Sequence, residues 1–370
     1  MKDIHDIAAD SRDILNCINS GVYITDTDRR IVFWNRAAEA ITGYSPDEVV
    51  GQPCYANILR HRDKDGRPLC ATDLCPLHRS MQLRTASDHP VVIYARSKDG
   101  DTIPVSTSTG PVYDDEGNVI GGVEVFRDER ESLKQMELAR TVQRQMLTQQ
   151  LPRDDRVSFE VQFAPSELIS GDFYHVRPLA DGLYCMFLAD AAGHGTSAAL
   201  STSLIYSLIM ECEGSLDDPV RTMQAVNDRA SQRATGLGFF TAVTVVVDTG
   251  ADEARFCAAG HPPLLLQHAD GSVEQLALNN LPVGVMQGAD FEGREIEFRP
   301  GERLLAYSDG APDVETDAEA RLGVDGLAEL LQANPPAGSH RLTALFAAIL
   351  DRCVTVEPGD DVTLLSCLRS

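Results

Sequence analysis

The sequence predicts an α+β protein in which two domains are joined by a helix. Hairpin-like strand patterns with short helices between them fill residues 11–127. Residues 128–152 contain no glycine and carry a helical apolar stripe. In residues 153–370, valine-rich strand patterns alternate with amphipathic helices, which predicts sheets covered by helices.

The first domain is expected to begin with a hairpin and to continue into capped helices. "GVYITDTDRRIVFWN" alternates apolar and polar residues around a polar turn at 26–29. A short helix in "RAAEAITG" is closed by Gly43. Next, "SPDE" supplies Ser45 as N-cap, Pro46 at the first helical position and Glu48 to complete a capping box. "TIPVSTSTGPVYDDEGNVIGGVEVFRD" then predicts a second hairpin.

These segments resemble a PAS sensor domain. The resemblance lies in the order Gly, Asp, Asn, Gly-Tyr, Glu and Gly within "GVYITDTDRRIVFWNRAAEAITGYSPDEVVGQ", followed by the closing hairpin. It implies a PAS fold whose central cavity senses a ligand, a cofactor or redox state, and which often dimerises.

Cysteine and histidine cluster in the middle of this domain, at Cys54, His61, Cys70, Cys75 and His78. One hypothesis is a cofactor-binding site for a metal or haem, or a thiol redox site. The alternative is that the cysteines are small buried apolar residues. The spacings match no standard metal motif, which favours the alternative.

Residues 128–152 predict a helix that ends at Pro152. Its apolar stripe consists of Leu133, Met136, Ala139, Val142 and Met146. The stripe can pack on the chain's own domains or form a dimeric signalling helix, and both alternatives stay open.

The last domain places acidic residues at the ends of apolar, strand-like runs: Asp172, Asp190, Asp309 and the adjacent pair Asp360 and Asp361. Each Asp-Gly pair alone is typical of a turn. Together they suggest buried carboxylates, which need a partner, and few cations lie near them. Carboxylates without cysteine or histidine at zinc spacing select Mg²⁺ or Mn²⁺.

Two such ions can activate a bridging water for phosphoryl displacement. The small residues Ala191, Ala192, Gly193 and Gly195 would let the backbone approach the metal-bound waters or the phosphate. The sequence therefore predicts a two-metal site at the end of the strand that finishes with Asp190.

Seven motifs in order resemble the sporulation-type bacterial branch of metal-dependent protein serine/threonine phosphatases, which is related to the type 2C phosphatases. They are "SGDFY", "DAAGHGTSAAL", "FFTAVTVVVD", "AAGHPPLLL", "LPVGV", "LLAYSDG" and "DDVTLL". The resemblance implies an α/β/β/α domain, a β-sandwich flanked by helices with two metals at one end.

The resemblance also implies the roles of individual residues. Asp172, Asp190 and Asp309 would be catalytic through bound metals and water, and with Asp360 they would ligate the ions. The carbonyl of Ala191 would be a further ligand, and Asp361 would lie behind the ligands, with the choice within the adjacent pair open by one residue. The pattern is broken at Ser170, His175 and Asp313, where the family has Gly, Asp and Glu.

The implied reaction is hydrolysis of phosphoserine or phosphothreonine on a regulatory protein. The branch suggests an anti-sigma-factor antagonist as the substrate, while a response regulator or another regulatory protein stays open. A homodimer through the PAS domain and the linker helix is expected. His194 and His261 could donate protons or cap turns. "GHGTS" weakly suggests a hydrolase elbow around Ser197. Two other classes stay open: a silent phosphoprotein-binding module, and a redox or ligand sensor that acts by protein interaction.

The composition of the chain argues against some classes of binding partner. The 370 residues include 56 Asp and Glu against 32 Lys and Arg, which gives a net charge of −24. Such a surface repels nucleic-acid phosphates and anionic lipid. The N-terminus lacks a signal-peptide pattern, and no apolar run approaches the ~20 residues of a membrane span. Nine scattered cysteines suit a reducing compartment, so a cytoplasmic protein is expected.

Overall fold

The computed structural model divides the chain into compact units at Met1–Gln135 and Met136–Ser370. The residues that it describes are 3–56, 58–87, 89–147, 150–191, 196–233, 238–316, 320–334, 341–354 and 359–370. No helix in these ranges is both long enough and apolar enough to cross a membrane.

The N-terminal unit is an antiparallel sheet with helices. Its strands are β1 (Gly21–Asp26), β2 (Ile31–Trp34), β3 (Val91–Arg96), β4 (Thr102–Tyr113) and β5 (Val119–Asp128), in the order β2-β1-β5-β4-β3. Its helices are α1 (Ile4–Asn16), α2 (Arg36–Thr42), α3 (Pro46–Val49) and α4 (Pro76–Leu83). Both predicted hairpins form, as β1-β2 and β4-β5.

The predicted C-terminal end of α2 and N-terminal end of α3 are confirmed, whereas α5 (Arg130–Leu147) does not extend to Pro152 as predicted. Gly43 closes α2 in the left-handed region at φ 80°, where a side chain would be strained. At Ser45 the backbone N–H and the hydroxyl both donate to the Glu48 carboxylate, at 2.9 and 3.0 Å, and the capping box is complete.

Asn35 ties the first hairpin to α2. Its side-chain oxygen accepts from the N–H groups of Val22 (2.9 Å) and Ala38 (2.8 Å), so it serves the strand and caps the helix. Its amide donates to the carbonyls of Leu15 and Ser20, each at 2.9 Å. A buried side chain that satisfies four backbone groups fixes where the strand stops and the helix starts.

Helix α5 (Arg130–Leu147) forms within the predicted helical segment, and four of the five stripe residues, Leu133, Met136, Ala139 and Met146, are half-buried. Val142 of the stripe is 43% exposed, whereas Gln143 and Leu147 are buried. Apolar periodicity therefore identifies most of this face but misses Gln143, a hydrogen-bonded polar residue.

The C-terminal unit contains two larger antiparallel sheets. One has the order β14-β11-β10-β9-β8, from β8 (Asp172–Ala180), β9 (Leu183–Ala191), β10 (Phe240–Asp248), β11 (Glu253–Ala259) and β14 (Arg294–Glu297). The other has the order β13-β12-β15-β18-β7-β6, from β6 (Arg153–Asp154), β7 (Val157–Ala164), β12 (Leu264–Gln267), β13 (Val273–Leu276), β15 (Arg303–Tyr307) and β18 (Val362–Arg369). A small hairpin pairs β16 (Glu315–Thr316) with β17 (Ala320–Arg321).

Helices cover the outer faces of the two sheets. They are α6 (Thr196–Glu211), α7 (Pro219–Arg233), α8 (Gly323–Gln332) and α9 (Arg341–Leu350), with a 3₁₀ turn at Glu213–Ser215. Alternate residues of one strand enter different cores: Leu304 packs between the sheets, and Leu305 packs against α8 and α9. Strands buried on both faces read as unbroken apolar runs. The predicted class, a β-sandwich flanked by helices in an α+β chain, is confirmed.

We expect Asn35→Ala to lower the free energy of unfolding of the N-terminal unit by about 2–4 kcal/mol, because buried backbone groups lose their partner. Denaturant titration of the full chain, followed by fluorescence of Trp34, its only tryptophan, measures this. Asn118→Ala, in an exposed turn, is the control and should shift the midpoint little. Equal effects of the two substitutions would contradict this role for Asn35.

Candidate metal centre

Two of the predicted carboxylates lie side by side on neighbouring strands. Asp172 opens β8, Asp190 is the penultimate residue of β9, and the two are direct partners in the antiparallel register. Because side chains of directly paired residues point to the same side of a sheet, this register brings the carboxylates together.

The other three lie at one edge of the second sheet. Asp309 follows β15, Asp360 and Asp361 precede β18, and these strands are paired, so the end of one meets the start of the other. Gly310 permits this approach: a Cβ there would lie 2.1 Å from the Asp361 carbonyl oxygen. Any side chain would force the two segments apart.

The carboxylate of Asp361 joins the two sheets. One oxygen accepts from the N–H (2.7 Å) and hydroxyl (3.0 Å) of Ser166. The other accepts from the hydroxyl of Ser170 (2.8 Å) and the N–H of Gly171 (2.7 Å). Four donors occupy this buried group, which leaves Asp360 as the member of the pair better placed to ligate an ion.

Asp172 is fully buried, and one of its oxygens has no hydrogen-bonding partner among the residues that the structure describes. The hydroxyl of Thr363 donates to its Oδ2, whereas no described residue donates to Oδ1. A buried carboxylate oxygen without a partner is costly, and it indicates a position that a cation would satisfy.

Mutual repulsion and burial disfavour ionisation across the cluster. Burial, and then the charge of Asp190, raise the pKa of Asp172 well above its usual value. Burial raises the pKa of Asp190 to about 8, with further contributions from Asp309, which shares a side-chain hydrogen bond with it, and from Asp360 and Asp361. Burial, Asp309, Asp361 and Asp313 raise the pKa of Asp360. The structure therefore brings all five carboxylates into electrostatic contact.

The residues present suit a hard divalent cation. The donors are carboxylate oxygens, one of them buried and unpartnered, and their repulsion would be relieved by positive charge. As the side chains stand in the described ranges, no three acidic, histidine or cysteine groups surround a single point. Ion binding would therefore involve side-chain rotation, beginning with the Asp190–Asp309 hydrogen bond.

The small residues of the predicted site are described only in part. Ala191 is the last residue of β9, and its N–H donates to the carbonyl of Gly171 at 3.2 Å. Ala192, Gly193, His194 and Gly195 lie outside the described residues.

The departures from the family pattern have structural consequences. Ser170 stands where glycine is usual, and its hydroxyl bridges the N–H of Asp172 (3.0 Å) and the carboxylate of Asp361. His261 is buried and His175 is half-buried, and burial lowers the pKa of each to about 4. The Nδ1 of His261 lies 2.9 Å from the carbonyl of Pro262, which suits a structural role.

Sequence reasoning missed Gln143, because a polar residue beside an apolar stripe reads as solvent-facing. Its amide donates to the carbonyl of Ser170 (2.6 Å) and to the hydroxyl of Thr202 (3.0 Å). Its side-chain oxygen accepts from the N–H of Ser170 at 3.1 Å. Helix α5 therefore holds the backbone of Ser170, whose hydroxyl contacts Asp361.

In the N-terminal unit, the structure gathers most of the predicted cysteine–histidine cluster. Cys54, Cys75 and His61 are buried, and the N–H of His61 donates to the sulfur of Cys70 at 3.2 Å. Burial raises the pKa of all three thiols, that of Cys70 to about 12, so they are poor nucleophiles. His78 contacts Gln82 instead.

A buried carboxylate that sequence reasoning missed completes that cluster. Glu124 accepts from the hydroxyl of Tyr23 at 2.8 Å and lies 3.7 Å from the Nε2 of His61. Tyr23 also packs with Trp34 and Phe126, at ring-centroid distances of 5.6 and 6.4 Å. The cluster and these rings share the core of the unit.

A sandwich of two antiparallel sheets between helices, with acidic residues at one end of both sheets, defines the PP2C-type phosphatase fold. Two family models match the chain: the PAS domain over residues 19–131, and stage II sporulation protein E (SpoIIE) over residues 180–369, more than half of the chain. The protein belongs to the SpoIIE family and carries an N-terminal PAS domain.

Two curated relatives are similar to this chain. Phosphoserine phosphatase RsbP of Bacillus subtilis is 27% identical over 49% of this chain, and protein IcfG of Synechocystis is 24% identical over 64%. The chain spans less than half of the length of either relative, 45% and 42%.

Solved structures show the same fold. The SiaA-PP2C domain of Pseudomonas aeruginosa has a TM-score of 0.58 at 23% identity and covers 65% of this chain and 98% of its own. The RsbU and RsbW domains of Rv1364c from Mycobacterium tuberculosis have a TM-score of 0.51 at 24% identity, and they cover 59% of this chain and 63% of theirs.

We expect Gln143→Ala to lower the free energy of unfolding of the C-terminal unit by about 1–3 kcal/mol, because the N–H of Ser170 loses its acceptor in a buried setting. Differential scanning calorimetry of the full chain measures the loss. Gln145→Ala is the matched control, since Gln145 is exposed on the same helix. A loss no greater than that of the control would show that the Gln143 contacts contribute nothing.

Proposed function

We propose that the protein is a PAS-regulated, metal-dependent protein serine/threonine phosphatase. The observation that carries the proposal is Asp172, which is fully buried inside a cluster of repelling carboxylates and has one oxygen without a partner in the described part of the chain. A site held in this state has the chemistry to bind cations, and membership of the SpoIIE family supplies the reaction.

Asp172, Asp190, Asp309 and Asp360 would hold two Mn²⁺ or Mg²⁺ ions, with the carbonyl of Ala191 as a further ligand. Bound there, such ions supply an activated water and stabilise charge on the phosphoryl group. The chain's own residues orient the ligands. Asp361 accepts from the backbone N–H groups of Ser166 and Gly171 and from the hydroxyl of Ser170, and Thr363 donates to one oxygen of Asp172. No side chain need form a covalent intermediate.

The proposed substrate is a phosphorylated anti-sigma-factor antagonist. Two similarities support it: RsbP is named a phosphoserine phosphatase, and the Rv1364c structure joins an RsbU to an RsbW domain. The PAS unit would set the activity, and its cysteine–histidine cluster is the candidate ligand site there. The protein would act in the cytoplasm.

We also propose a homodimer through the PAS unit and α5. Leu138 and Val142 on α5 are 67% and 43% exposed, which leaves apolar surface for a second copy. A monomer by light scattering at micromolar concentration would contradict this.

We expect Asp190→Asn to abolish Mn²⁺-dependent phosphate release from a phosphoserine peptide, with a loss of about 100-fold or more. The same variant should lose the Mn²⁺-induced rise in Tm, since the ion no longer binds the folded state preferentially. Without metal, its Tm should equal or exceed that of wild type, because a repelling carboxylate is gone.

Asp181→Asn is the control, since Asp181 is 92% exposed in a surface turn. The metal mechanism would be contradicted if the wild type were as active in EDTA as in Mn²⁺. A wild type that binds Mn²⁺ and a phosphopeptide without turnover would favour the silent binding module.

A further inference from the structure

Beside the carboxylate centre lies a cleft of about 280 Å³ that the mechanism above does not use. Gly310 and Asp360 of the centre line one side, and Asp313, Glu315 and Arg321 line the other. Among the described residues that line it, Arg321 carries the positive charge.

Backbone hydrogen bonds hold Arg321 to the segment that carries Asp309. The N–H of Asp313 donates to the carbonyl of Asp309 at 3.0 Å, and that of Leu322 donates to the carbonyl of Val314 at 2.9 Å. In the small hairpin, Arg321 is the direct partner of Glu315. The position of Arg321 relative to the carboxylate centre is therefore fixed by the hairpin.

The guanidinium of Arg321 is available to a ligand. Its Nη1 lies 2.6 Å from Asp313, but the two side chains are 67% and 46% exposed. Such a surface ion pair contributes ~0–1 kcal/mol, so it is easily shared with a second anion. The planar fork of arginine offers several donors in the geometry that oxyanions accept.

The acidic residues around Arg321 would repel an anionic substrate. A phosphoserine carries about −1.5 to −2 charges at pH 7, yet the protein has a net charge of −24 and the cleft is lined with acidic groups. Ions bound at the centre would neutralise its own carboxylates but not Asp313 or Glu315. Repulsion of an anionic substrate at this edge would be offset by Arg321.

We propose that Arg321 is a substrate-binding residue that recognises an oxyanion of the phosphoprotein, with Asp313 as the group that positions it. This inference rests on the proposed phosphatase function. The oxyanion is the phosphoryl group or a carboxylate close to the phosphoserine.

The test compares Arg321→Ala and Arg321→Lys with Arg299→Ala in the full chain. Arg299 is a matched control because it is 65% exposed and pairs with Glu297 at 2.6 Å. It lies before β15, at the end of the strand opposite to Asp309 and the carboxylate centre. The readouts are binding of a fluorescein-labelled phosphoserine peptide in Mn²⁺ and turnover of that peptide and of p-nitrophenyl phosphate.

We expect Arg321→Ala to weaken peptide binding by about 10- to 100-fold, Arg321→Lys to recover part of it, and Arg299→Ala to stay within about twofold of wild type. A KM increase for p-nitrophenyl phosphate as well identifies the phosphoryl group as the oxyanion. A loss confined to peptides with acidic neighbours identifies the carboxylate.

Binding by Arg321→Ala equal to that of Arg299→Ala would overturn the proposal. So would full recovery in the double variant Arg321→Ala/Asp313→Asn, since the loss would then come only from the unpaired Asp313. If wild type shows no turnover, the phosphatase function fails, and the binding comparison still decides the role of Arg321.

Discussion

The four hydrogen bonds to the carboxylate of Asp361 hold the candidate metal centre together. This residue precedes β18 in one sheet, and its donors lie in the segment that leads into β8 of the other. The facing ends of the sandwich are thus fixed by a buried side chain with two donors on each oxygen, whereas Oδ1 of the nearby Asp172 has no partner among the described residues.

Ser170 connects the carboxylate of Asp361 to helix α5. Its backbone is held by Gln143 of α5, and its hydroxyl contacts Asp361 and the N–H of Asp172. Helix α5 and the carboxylate centre therefore both contact Ser170. Substitution at Ser170 would act on both at once, so such a variant cannot separate folding from metal binding.

Sequence patterns predicted the parts that follow local rules. The capping box at Ser45 and the glycine closure at Gly43 depend on neighbouring residues, and the aspartates at strand ends fall in ordered motifs. The missed residues owe their roles to distant partners: Gln143 meets a segment 27 residues away, and Glu124 meets Tyr23 across 101 residues. No periodicity encodes such contacts, and Gln143 is a polar residue on a face that the apolar pattern otherwise marks.

The burial of the sandwich strands on both faces has a consequence for strand alignment. In a strand with one apolar face, a shift by one residue exposes that face to water, so the apolar pattern alone selects the pairing. Leu264, Leu265 and Leu266 are all buried, and a shifted strand would still place leucine in both cores. The apolar residues are therefore compatible with more than one alignment, and polar contacts determine which alignment forms. The Asp172–Asp190 pairing and the hydrogen bonds between Ser308 and Thr363 exist in one alignment only, so residues in and beside the candidate metal centre also set the register of the strands around it.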